Sequence, residues 1–107
     1  MLTAQKINQL AQDQVLEGLG KHEGDTLRVV IAHTSPSHFE AVGEFQLQSG
    51  KLHRPCSGPM TSDLLVEWLK TLLERWPFER AISWAVHPLD PKTQQFIQQT
   101  KSQSKAD

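Results

Sequence analysis

Cysteine is nearly missing from this chain: Cys56 is the single one among 107 residues. That excludes an internal disulfide framework and any cysteine-rich zinc knuckle. Neither sign of charge is in excess. Lys and Arg number 11 against 12 Asp and Glu, for a net charge of -1. The balance argues against a polybasic nucleic-acid surface and equally against an acidic mimic. Apolar residues are only 37% of the chain, in short runs such as Val29-Val30-Ile31-Ala32. A bilayer span needs roughly 20 consecutive apolar residues, so no contact with a membrane is expected. The opening residues Met1-Leu2-Thr3-Ala4-Gln5-Lys6 lack the charged and then apolar regions of a secretory signal. With one free thiol, the expected location is cytoplasmic.

Chemical signatures are equally sparse. There is no His-x3-His or His-Glu-x-x-His zinc pattern and no glycine-rich phosphate cradle, so neither a metal nor another cofactor is expected. A cysteine-x5-arginine phosphatase loop would need arginine at position 62, six residues beyond Cys56, where Ser62 stands.

What is present reads as one α+β domain over residues 1–100, with a frayed tail at 101–107. Residues 4–19 read as a helix: Thr3 can cap it, Ile7, Leu10, Ala11 and Val15 share a face, and Gly18 or Gly20 ends it. Thr26 to His33 reads as a first strand, apolar on both faces near its middle. Phe39 to Gln48 alternates as a second strand, and Ser49-Gly50 turns into a short third one, Lys51 to Arg54. Its basic residues and Pro55 suit an edge. Helix 63–76 carries the longest apolar seam: Leu64, Leu65, Trp68, Leu69, Leu72, Leu73 and Trp76. Pro77 stops it, and Ala81 to His87 forms a fourth strand. Asp90-Pro91 marks a capped start with proline at the first helical position. The helix that follows runs to about residue 102, with Phe96, Ile97 and Thr100 for burial.

The order is thus α-β-β-β-α-β-α. An antiparallel three-stranded meander is followed by a crossover that leaves strand four beside strand one, giving the order 3-2-1-4. This outline resembles ribonuclease H-like folds, a likeness that would imply two metal ions held by carboxylates, one near the middle of the first strand. No acid lies between Thr26 and His33, and a metal nuclease is not expected.

Candidate site residues fall in two groups. Cys56 sits in a Gly/Pro loop just before a helix, where a thiolate would be stabilised, with His53 three residues upstream. His33 ends strand one, so Cys56, His53 and His33 could build a small catalytic or ligand site. The second group lies on strand four, where Ile82, Trp84 and Val86 share a face and no residue from 81 to 87 is charged. A long uncharged edge invites another strand, and Trp is enriched in interface hot spots. The reading favours a cytoplasmic protein-interaction module (an adaptor, assembly factor or regulatory subunit) over an enzyme. Its partner would be another protein or a second copy, through strand 81–87.

Overall fold

The computed structural model describes residues 2–74 and 82–105. Its elements are α1 (Ala4–Asn8), β1 (Gln14–His22), β2 (Asp25–Ser35), β3 (His38–Gln46), β4 (Leu52–His53), α2 (Ser62–Leu73), β5 (Ser83–Pro88) and α3 (Pro91–Lys105). The five strands form one sheet in the order β4-β3-β2-β1-β5, and every neighbouring pair is antiparallel. The α+β class is therefore as the sequence indicates. Trp76, Pro77 and Ala81, named above, lie outside the described residues.

The strand order needs correcting. The expected 3-2-1-4 arrangement omits β1, which takes up the second half of the expected helix 4–19 and inserts between β2 and β5. The helix starts at the expected cap, where Thr3 Oγ1 accepts from the Lys6 N–H at 3.2 Å, but it stops at Asn8. Gly18 and Gly20 would each cost a helix about 1 kcal/mol relative to alanine. In a strand they leave one face free of side chains. Glu23 and Gly24 both have positive φ, 49° and 92°, and connect His22 to its register partner Asp25. That is the two-residue turn whose twist matches a hairpin, and it zips β1 onto β2. With β1 in place, the likeness in outline to ribonuclease H-like folds ends at the meander.

Alternation along the strands sorts the core into two layers. On one face Leu16, Leu27, Val29, Ile31, Phe39, Ala41 and Phe45 pack against Ile7 and Leu10 and against Leu65 and Leu69 of α2. Leu64, expected in the seam, is 61% exposed and points away from the sheet. On the other face Val15, Val30, Ala32 and Val42 pack under Ile97, with Phe96, Leu89 and Cys56 at the margin.

Helix α3 is fixed at both ends. Asp90 Oδ1 accepts from the Thr93 N–H at 2.8 Å, the cap that Asp90-Pro91 suggests. Farther along, Lys101 Nζ donates to Glu40 Oε1 at 2.9 Å. That bond holds the lysine above its ordinary pKa, and the helix runs on to Lys105. The hydrogen bonds from Thr93 hold Asp90 below the usual carboxylate range. A lowered folded-state pKa stabilises the fold above the unfolded pKa of about 4, and that stability is lost as pH falls through the folded value. Asp90→Asn, which keeps the cap but does not titrate, is expected to flatten part of the acid limb of the melting curve. Thermal melts from pH 5 to pH 2 (about the carboxylate range) check this, and identical acid limbs would show the cap's charge to be irrelevant.

Candidate interaction edge

The sheet has two edges, and they are treated differently. Along β3 the chain protects its own edge. After β4, the segment 55–60 continues beside β3 through isolated bridges, Cys56 to Val42 and Met60 to Phe39. Gly43 N–H donates to the Pro55 carbonyl at 2.9 Å and Ser57 N–H to the Ala41 carbonyl at 3.0 Å. Pro55 and Pro59 supply no N–H, and irregular, proline-bearing backbone is a poor template for a further strand.

The opposite edge is β5. It pairs with β1 from Gln14↔Pro88 to Leu19↔Ser83. Among the described residues that edge has no strand beyond it, and its sequence, Ser83-Trp84-Ala85-Val86-His87-Pro88, holds no Asp, Glu, Lys or Arg. Every residue of it except Trp84 is exposed, and Val86 is exposed to 52%. Helix α3 lies elsewhere, with Ile97 over the sheet's centre.

Trp84 is held from below. It faces the α1–α2 side, opposite Gly18 in register, and a Cβ on Gly18 would lie 2.7 Å from the indole ring. Glycine there is a close-approach requirement. Ile82 packs against the same core cluster.

The other face of the edge is polar. Glu17 Oε2 accepts from Arg28 Nε at 2.7 Å, and His87 Nε2 lies 3.6 Å from Glu17 Oε1. The Arg28 guanidinium also rests 4.1 Å above the Phe96 ring, so one carboxylate on β1 holds β2 and, through the arginine, reaches α3, with His87 of β5 beside it. Sequence reasoning missed Gly18, Glu17 and Arg28 as parts of this edge. The signal that could have found them is Glu23-Gly24, a hairpin turn between two alternating segments.

The structure does not bring Cys56, His53 and His33 together. Cys56 packs beside Val42 on the α3 side. His53 is the register partner of Phe45, whose side chain belongs to the opposite layer. His33 is engaged by the backbone, with Nε2 2.8 Å from the Leu10 carbonyl oxygen and Nδ1 3.0 Å from that of Ser35, and its ring is 4.3 Å from Phe39. Among the described residues, no group of three or more His, Cys, Asp or Glu side chains is placed to hold a metal ion. No described helix is long and apolar enough to cross a membrane.

No protein family, curated protein or solved structure matches the chain.

Proposed function

We propose that the chain is a small protein-interaction module, an adaptor, assembly factor or regulatory subunit, that binds by adding a strand to β5. The observation that carries this reading is the contrast between the edges: segment 55–60 guards β3, whereas β5 carries no charged side chain and, among the described residues, no covering strand. An exposed sheet edge offers its main-chain N–H and C=O groups to an extended segment, and the alternating side chains select which segment fits. Trp84 and Val86 would supply apolar selection on one face, and Ser83 and His87 polar contacts on the other. The lone half-buried thiol suits action in the cytoplasm.

The test compares affinity capture by the native chain and by Val86→Lys, at native expression. A lysine on an edge strand is a device natural proteins use to block pairing, and position 86 is exposed enough to accept it without unfolding. Proteins bound through β5 are expected in the native sample and lost from the variant. An unchanged set of captured proteins would contradict the reading.

A further inference from the structure

We infer that the strand added to β5 is β5 of a second copy, joined antiparallel about a two-fold axis at Ala85. The inference rests on the reading of β5 as a docking edge and names its occupant. The sheet is antiparallel throughout, so a two-fold axis perpendicular to it at this edge continues the same pattern through both copies. An isologous contact sets one surface against itself, so the strand must be compatible with its own reverse. Residues 83–88 meet that condition, because no charged side chain is present to face its like. Each copy carries a net charge of only -1, so long-range repulsion is small.

The side chains select the register. With the axis at Ala85, Trp84 lies opposite Val86 of the second copy, Ser83 opposite His87, and Ala85 opposite itself. Facing residues share a side of the sheet. The exposed Val86 therefore gains an aromatic neighbour on the α1–α2 side, an aromatic–β-branched pair of the favourable kind. His87, already beside Glu17, gains a hydroxyl on the α3 side. Moving the axis to Trp84 would oppose two indoles, each already seated over its own Gly18. Moving it to Val86 would set Trp84 against Pro88, which has no N–H for the ladder.

Sedimentation velocity from low to high micromolar concentration reads the association, and engineered thiols read the register. In a Cys56→Ser background, Ala85→Cys places two thiols opposite each other. Directly paired Cβ atoms lie about 4.5–5.5 Å apart, which small adjustment brings within the ~3.5–4.5 Å of a disulfide. The expected result is a reversible dimer that Ala85→Cys locks covalently on mild oxidation. Ser83→Cys alone is expected to remain unlinked, and Ser83→Cys combined with His87→Cys to link. A monomer throughout the range, or a dimer that Ala85→Cys does not lock, overturns the inference. A monomer that still captures proteins lost in Val86→Lys overturns the second copy alone. A monomer whose captured set is indifferent to Val86→Lys overturns the docking edge as well.

Discussion

Leu69→Ala is expected to lower the free energy of unfolding by about 2–5 kcal/mol, through lost transfer energy and a residual cavity. Leu69 is 3% exposed and packs with Leu65 against the sheet. It also lines a partly open, mainly apolar pocket of about 60 Å³, together with Leu2, Val66, Lys70, Leu73, Ile82 and Trp84. Domains of this size are stable by about 5–15 kcal/mol, so such a loss brings the chain near unfolding. A urea titration would show a lower midpoint with an unchanged slope. Leu64→Ala is the internal control. Its side chain is 61% exposed, and the change should cost no more than about 0.5 kcal/mol. Equal effects at the two positions would mean that α2 presents a different face to the sheet.

Gly18→Val carries the next largest effect, about 1–3 kcal/mol, the range for overpacking a filled site. The added Cβ would lie 2.7 Å from the Trp84 ring, closer than two carbons can approach. Valine favours strands, so any loss comes from the collision and not from backbone preference. Relief requires the indole to swing off β1 or the β1–β5 seam to open, and both expose Trp84 to water. In a Trp68→Phe, Trp76→Phe background, Trp84 emission should shift to the red together with the loss of stability. Unchanged emission would show that the indole does not rest on Gly18.

Much of the architecture was legible because single residues carry strong local physics. Thr3 and Asp90-Pro91 marked helix starts with a side-chain oxygen, and both bonds are present. The apolar core of strand Thr26 to His33 marked a strand covered on both faces, and Val29, Val30 and Ile31 are buried in the two layers. Segment 14–22 misled because Ile7, Leu10, Ala11 and Val15 fit a helical spacing, while its strand character depends on partners distant in sequence. Leu16 is buried through Ile31 and Val86, its neighbours across the sheet. Gly18 makes sense only with Trp84 above it, and no local window contains both.

The candidate site was legible to a similar degree. An uncharged run ending at Pro88 is visible in the letters, and the structure places it at a sheet edge. The separation of Cys56 from His33 and His53 was not visible, because it depends on sheet parity. Val42, the neighbour of Cys56 on β3, lies an odd number of residues from both Phe39 and Phe45, the neighbours of His33 and His53, and so faces the opposite layer.

The central claim, that β5 is an open edge available to another strand, is tested most directly by amide hydrogen exchange on the dilute chain. The outward amides of residues 83–88 should exchange quickly, while the paired amides of β2, which has a strand on each side, remain protected. Raising the protein concentration, or adding a captured partner, should then slow the β5 amides selectively. Protection of β5 equal to that of β2 in the dilute monomer would show that the chain covers its own edge, and would contradict the account.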